Sequence, residues 1–420
     1  MAAMLLARNR NFRLLFSASA ISNLGDGISA LAFPWLATLI TRDPLLIGTV
    51  AAATRLPWLL FALPAGVVTD RVDRQQLMVQ ADLLRMILTF GVVAMILAAP
   101  ALPMSDGDPS VPWMIAGLCA AAFLLGSAEV FRDNAAQTAL PSVVEARDLE
   151  RANGQIWSAE QVMGSFVGPP VAGLLIALAV PAPFMVDAVT FALAAWLVWA
   201  IRVQAPRLPP PTGGFMAQLA EGAQWMRRNR AMLALAVMLC PLNFANALVL
   251  TVLVLVSQEI YGLSAAGYGL LLSAEAAGGV AGALIGPSVV ARLGAHRTVV
   301  TALCVFPVAF GILAVTSSAL VAGLALAVSM AAGVLWNVVT VSLRQRVIPT
   351  ALFGRVNSIY RFFGWGSIPL GAVAAGAIVA GFEGDLGRIA ALRLPYWSAT
   401  VITAGLLAWA ALRMRLPTPE

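Results

Sequence analysis

The sequence predicts an all-α membrane protein: twelve transmembrane helices arranged as two pseudo-symmetric six-helix halves. Three observations predict it. The 420 residues are 60% hydrophobic and only 11% charged, with mean hydropathy +0.87, whereas an ordinary soluble domain carries about 25% charge. The apolar residues form continuous runs rather than alternating, which argues against a β-barrel. The two halves of the chain also repeat one another.

A crossing needs about 20 apolar residues at about 1.5 Å rise each. By that rule the first six spans run near 12–40, 45–68, 77–99, 112–138, 154–180 and 182–201. The second six run near 232–257, 264–290, 297–316, 318–345, 355–381 and 394–413. The opening "MAAMLLARNRNFRLLFSASAISNLGDG" is basic and then apolar, like a secretory leader. Its apolar run continues past Asp26 to about residue 40, too long for a leader, so it reads as the first span.

Arginine placement orients the spans. All 26 basic residues are Arg. With the N-terminus inside, only Arg42, Arg388 and Arg393 fall on the outer side, and Arg55, Arg85, Arg132 and Arg361 lie within spans. Every other arginine falls in an inner segment. The positive-inside rule then puts both termini in the cytoplasm, as expected of a multi-pass protein in a bacterial plasma membrane.

The largest break, "RVQAPRLPPPTGGFMAQLAEGAQWMRRNR" (202–230), begins Pro/Gly-rich and cannot span. Its second half, Phe215 to Arg230, reads as an amphipathic helix on the inner surface. The expected domains are therefore 1–201, a linker at 202–231, and 232–420. "RNR" opens both halves, at Arg8 and at Arg228. "DPLLIG" (43–48) answers "SAAGYG" (264–269), and "DRVDRQQ" (70–76) answers "ARLGAHR" (291–297). The offset stays at 220 to 221 residues. Two duplicated bundles around a midplane site describe a secondary transporter.

Other classes are excluded or disfavoured. Without Lys there is no phosphate-binding Gly-x4-Gly-Lys-Ser/Thr loop, and so no ATPase engine. The three cysteines lie in apolar runs without metal-site spacing, so no metal is expected. The single His296 falls in a loop, and no span carries a Ser/His/Asp set, so the chain is not expected to be an enzyme. The arginines are scattered over short loops, so no nucleic-acid partner is expected.

"LPAGVVTDRVDRQQLM" (63–78) resembles the loop signature between helices 2 and 3 of the major facilitator superfamily. Gly66, Asp70, Arg71 and Arg74 fit that signature. Asp73 stands where it usually has Gly, and Gln75 where it usually has a basic residue. "NRNFRLLFSASAISNLGDG", "LPWLLFALPAGVVTDRVDR" and "FVGPPVAGLL" are similar to the bacterial exporter branch that includes enterobactin and macrolide efflux proteins. The resemblance implies a cytoplasmic gate at this loop. Gly66 would let helix 2 pack on helix 11, Asp70 would cap helix 11 near Phe353 to Arg355, and Arg71 and Arg74 would hold the acids. A topology anchor is the alternative. The second half has Ala291 where Asp70 stands, so the latch would be one-sided.

Charges inside a bilayer are costly and are functional candidates. Asp26 lies about 14 residues into the first span and Arg55 about 13 from the inner end of the second, both roughly 20 Å deep. They are expected to pair, either as a structural bridge or as a proton-linked switch. In "EVFRDNAAQ", Glu129 shares a helix face with Arg132 and with Asp133. The resemblance places helices 1, 4, 7 and 10 around the cavity, which makes Glu129 a substrate or proton candidate. Glu160, Glu275, Asn337 and Arg361 are further candidates; Asn243, Asn246, Trp336 and Tyr360 read as packing groups. Asp82 and Arg85 read as an inner-rim pair. Asp187 lies near the outer end of a helix that the resemblance makes peripheral.

Small residues form two rows: Gly164, Gly168 and Gly173 with Pro169 and Pro170, and Gly278, Gly282 and Gly286. Such rows let backbones approach closely. The resemblance implies that helices 5 and 8 cross between halves, and that the Gly-Pro element marks an exporter. The expected function is proton-coupled export of small amphiphilic compounds by alternating access. The partners would be a small-molecule substrate and the lipid bilayer. The chain is expected to act as a monomer, with no cofactor and the proton gradient as energy source. The alternatives are an importer of a polar metabolite, a lipid flippase of the same fold, or a non-transporting sensor or enzyme.

Overall fold

A computed structural model describes residues 3–69, 71–105, 107–202, 215–349 and 352–413. Among these residues the chain is helical, with no strand. A short α1 (Ala3–Arg8) leads into α2 (Arg10–Ile40), α3 (Pro44–Thr69), α4 (Arg74–Ala98) and α5 (Val111–Val143). The fifth span is composite: α6 (Leu149–Glu160), a π-helical segment (Gln161–Val167) and α7 (Gly168–Leu178). Then come α8 (Ala182–Trp199), the linker helix α9 (Phe215–Arg228), α10 (Arg230–Glu259), α11 (Ala265–Val315), α12 (Ala319–Val347), α13 (Phe353–Leu386) and α14 (Arg388–Arg413).

Ten helices among the described residues are long and apolar enough to cross a membrane. One of them, α11, is 51 residues long and breaks at Gly294, whose φ of 77° and ψ of 163° no helix accommodates. That break falls in "ARLGAHR", between the eighth and ninth expected spans. Glycine adopts this backbone without the Cβ penalty. Thr298 then bonds back to the Gly294 carbonyl at 2.8 Å.

The duplication reappears as matched helix caps. Asn9 Oδ1 accepts from Phe12 N at 2.9 Å, and Asn229 Oδ1 accepts from Met232 N at 3.1 Å. Each is the Asn of an "RNR" repeat and opens the first long helix of its half. Such a cap satisfies a backbone donor that the helix start leaves free. Outside the spans, Asp108 accepts from both the amide and the hydroxyl of Ser110, which holds its carboxyl below the usual range.

Two compact units emerge. The first comprises Met1–Arg42, Ala53–Pro211 and Ser264–Ser273; the second comprises Asp43–Ala52, Thr212–Leu263 and Ala274–Glu420. Close backbone approaches explain the two short exchanged segments. A Cβ on Gly173 would lie 2.5 Å from the Ala265 carbonyl, which seats the start of α11 in the first unit. A Cβ on Gly376 would lie 2.3 Å from the Pro44 carbonyl, which seats the start of α3 in the second.

The two glycine rows face different helices. Gly278 and Gly282 face α12: a Cβ would lie 1.9 Å from the Ala327 carbonyl and 2.8 Å from that of Ala331. Gly286 looks toward Val338 and Leu335 of the same helix. In the other row, Gly164 and Gly168 face α2 at Asn23 and Gly27, and only Gly173 reaches the start of α11. Glycine spacing shows where backbones can touch, but the neighbour is decided by how the bundle closes.

Candidate functional site

The residues with the most chemistry converge inside the first unit, where α2, α4, α5 and α8 meet. "LGDGIS" (24–29) sets this up. Successive helical residues turn by about 100°, so Gly25 and Gly27 flank Asp26 on two different faces of α2. A Cβ on Gly25 would lie 2.2 Å from Asp187 Oδ1 on α8. A Cβ on Gly27 would lie 2.1 Å from the Gly164 carbonyl of the π-helical segment. Two helices therefore close on α2 on either side of Asp26.

Asp26 is closed by Arg85, through Nη2 to Oδ1, and not by Arg55. Arg85 Nη1 also donates to Ser22 Oγ at 3.1 Å and stands 3.7 Å from Asp82 Oδ1. Its Cζ lies 3.9 Å from the centroid of the Phe191 ring on α8. Arg132 Nε approaches Asp82 Oδ1 at 3.5 Å, and Arg132 Nη1 approaches Asp133 Oδ1 at 3.6 Å. One chain of charge thus runs Asp26–Arg85–Asp82–Arg132–Asp133. Beside it, Ser29 Oγ donates to Asp187 Oδ2 at 2.5 Å.

The burial is uneven along that chain. Arg85, Asp82 and Arg132 have side chains 2%, 0% and 1% exposed, whereas Asp26 and Asp133 are 25% and 34% exposed. Neither oxygen of Asp82 has a hydrogen-bond donor among the described residues, although both guanidiniums stand within ion-pair distance. Half-buried Glu129 adds a further carboxyl that feels the charges of Asp26, Arg85, Asp133 and Arg55. Half-buried Glu160, where α6 meets the π-helical segment, feels Asp133, Arg132 and Asp26. Counting Asp187, six carboxyls surround two buried guanidiniums.

Three expectations are corrected here. The partner of Asp26 is Arg85 on α4; Arg55 is exposed on α3. Asp82 and Arg85 are no rim pair but the buried centre of the cluster. Asp187 is not peripheral, because side-chain-free Gly25 lets α8 approach α2. The signal that could have found them was already present. Asp82, Arg85 and Asp187 are ionisable residues in apolar runs, and such residues ordinarily face a bundle interior.

The other candidates lie apart. Glu275 is half-buried and Asn337 exposed, both in the second unit. Asn243 Nδ2 donates to the Gly364 carbonyl at 2.7 Å, tying α10 to α13. Tyr360 lies beneath Arg344, whose Cζ is 4.0 Å from the ring centroid, and Arg344 Nη1 donates to Asn357 Oδ1 at 2.6 Å. The side chain of Arg361 lies outside the described residues.

In the signature loop, Asp70 also lies outside the described residues. Among the described residues, a Cβ placed on Gly66 would meet nothing within 4 Å. Arg74 is buried and donates to the Thr138 carbonyl at 3.1 Å, while Arg71 is exposed. The two departures from the signature have work of their own. Asp73 accepts from Gln76 N at 2.9 Å and so caps α4. Gln75 Nε2 donates to the carbonyls of Val198 and Ile201, both at 2.9 Å, closing the end of α8. The linker helix meets the start of α13: Glu221 pairs with Arg355, and a Cβ on Gly222 would lie 3.1 Å from the Arg355 backbone.

Comparison with known proteins agrees with this architecture. The sequence profile of the transmembrane secretion effector family matches residues 3–419. The multidrug efflux pump Tap of Mycobacterium tuberculosis is 29% identical over 236 residues, covering 54% of each chain. The chain thus spans about half the length of that relative. The Tap pump of Mycolicibacterium fortuitum is 27% identical over 400 residues, covering 91% of this chain and 92% of that one. Among solved structures, a mutant of the nucleoside transporter NupG superposes with a TM-score of 0.78 at 11% identity, over 96% of this chain and 100% of that one. At that identity the likeness is one of fold.

Proposed function

The chain belongs to the transmembrane secretion effector family, within the major facilitator superfamily, and from that premise we propose that it is a proton-coupled exporter of small amphiphilic compounds. It is a multi-pass membrane protein. We count twelve crossings: the ten apolar helices, with α11 taken as two at Gly294, together with Arg10–Ile40. Both termini are cytoplasmic in this reading, and two six-helix halves, 1–201 and 232–420, work by alternating access. The plasma membrane of a bacterium is the proposed location, as the bacterial efflux-pump relatives suggest, and the arginine asymmetry supports the cytoplasmic termini.

The observation that carries proton coupling is the charge imbalance of the cluster. Six carboxyls share two buried guanidiniums, and an unpaired charge in a low-dielectric interior is expensive. Binding protons is the chemistry these residues have available to balance it. Asp26, Glu129, Asp133 and Glu160 are the partly open members, while Arg85 and Arg132 are held within the wall. Releasing a proton from Asp26 strengthens its hold on Arg85; gaining one loosens it. That linkage can bias the geometry of α2 against α4. The efflux-pump relatives support export, and the amphiphile class follows from them by analogy.

Everted membrane vesicles expressing the chain test this reading. Ethidium should accumulate when the interior is acidified and should leave when nigericin collapses the pH gradient. Accumulation indifferent to the gradient would refute proton coupling. No gradient-driven movement of ethidium or of other amphiphilic dyes in either direction would refute the exporter itself.

A further inference from the structure

We propose that Ser273 is a positioning residue that completes the proline-broken fifth span, and so ties the shape of that span to the start of α11. Pro169 and Pro170 have no backbone N–H. The carbonyls four residues earlier, Ser165 and Phe166, therefore lack their usual helical donor. The chain before them is wound wide: the N–H of Gly168 bonds Met163 O, five residues back, rather than Gly164 O. Each displaced carbonyl with a described neighbour is met by another helix. Gly164 O lies against Gly27 on α2, where a Cβ would come within 2.1 Å. Phe166 O accepts from Ser273 Oγ at 3.2 Å.

Ser273 stands where the first turns of α11 pack on this unit. A Cβ on Gly269 would lie 2.7 Å from the Pro169 carbonyl, and the ring of Tyr268 stacks on Trp35 at 6.1 Å between centroids. The hydroxyl has a second acceptor on its own helix, Gly269 O at 3.1 Å. This makes the bond a switch with one indifferent partner. When the start of α11 moves off the fifth span, the Ser273 proton returns wholly to Gly269 O and loses nothing. Phe166 O keeps no donor, so its segment must rewind or take water. The Ser273 bond is thereby one of the contacts that hold the wide-wound Gln161–Val167 segment, beside the approach of Gly27. Glu160, the last residue of α6, directly precedes that segment, so the docking of α11 also bears on a carboxyl facing the charge cluster.

The ordinary reading of such a serine is back-bonding to its own helix, which slightly disfavours that helix. The two readings predict opposite signs for Ser273→Ala. Alanine has the higher helix propensity, so a merely back-bonded serine gives unchanged or slower amide exchange in α11. Loss of the bond to Phe166 gives faster exchange in both 161–173 and 265–273, by about fivefold, the factor equivalent to one hydrogen bond of about 1 kcal/mol. Hydrogen-exchange mass spectrometry on the purified full chain in detergent reads this directly. Ser273→Thr, which keeps the hydroxyl, should restore the wild-type rates. Unchanged or slower exchange in Ser273→Ala, or a failure of Ser273→Thr to restore it, overturns the proposal. The readout needs no substrate, so it stands or falls apart from the export reading.

Discussion

Arg85 on α4 and Asp26 on α2 form an ion pair whose cation is 2% exposed and whose anion is 25% exposed. The same guanidinium lies over the Phe191 ring and faces Asp82. Removing either member leaves the other in a poorly solvated place, which typically costs about 3–5 kcal/mol. Removing both should cost less than the sum. Thermal unfolding in detergent of Asp26→Asn, Arg85→Gln and the double variant should therefore show a coupling of at least about 1 kcal/mol. Asp26→Asn combined with Arg55→Ala should be additive. Additivity in the first cycle would exclude the Arg85 pairing.

Asp26 is also one of the two open ends of the chain of charge. Asp26→Asn should lower the initial rate of gradient-driven ethidium uptake into everted vesicles by at least about tenfold, a barrier change of about 1.4 kcal/mol, at wild-type expression. Asp26→Glu should retain part of it. A wild-type rate in Asp26→Asn would move the coupling role to Asp133 or Glu129.

The glycines divide by what surrounds them. Gly27→Ala and Gly278→Ala push a methyl into backbone carbonyls 2.1 and 1.9 Å away. Overpacking of this kind costs about 1–3 kcal/mol, so both variants should unfold at lower temperature or express poorly. Inside α3, Gly66→Ala meets nothing within 4 Å among the described residues. It should be neutral or stabilising by up to about 1 kcal/mol. A loss of stability in Gly66→Ala would restore the close packing that the loop signature implied.

The linker helix α9 is held by Gly222 against Arg355 and by the buried Met226. The Glu221–Arg355 pair is half open and contributes at most about 1 kcal/mol. Gly222→Leu should therefore release α9 far more than Glu221→Gln. Limited trypsin digestion at Arg227 and Arg228 should accelerate several-fold in Gly222→Leu and change little in Glu221→Gln. Equal rates in Gly222→Leu and wild type would show that α9 is held elsewhere.

What the sequence determined by itself was local or periodic. The run lengths placed the helices, the Pro/Gly-rich break placed α9, and the repeated "RNR" marked two helix starts that Asn9 and Asn229 cap alike. Each of these signals acts within a few residues, where backbone chemistry is decided by the residues themselves. Rise per residue also converts sequence position into an expected height, and that expectation put Asp26 and Arg55 at one level.

Azimuth was not legible, and it decided the site. Height leaves open which face of α2 Asp26 occupies and which helix closes on that face. Gly25 and Gly27 admit α8 and the π-helical segment on either side, leaving Asp26 to Arg85. The same holds for the glycine rows, whose spacing announces a close approach without naming the helix that makes it. Only the tertiary structure settled these partners, because side-chain-free surfaces fit several neighbours equally and the closing of the whole bundle selects one.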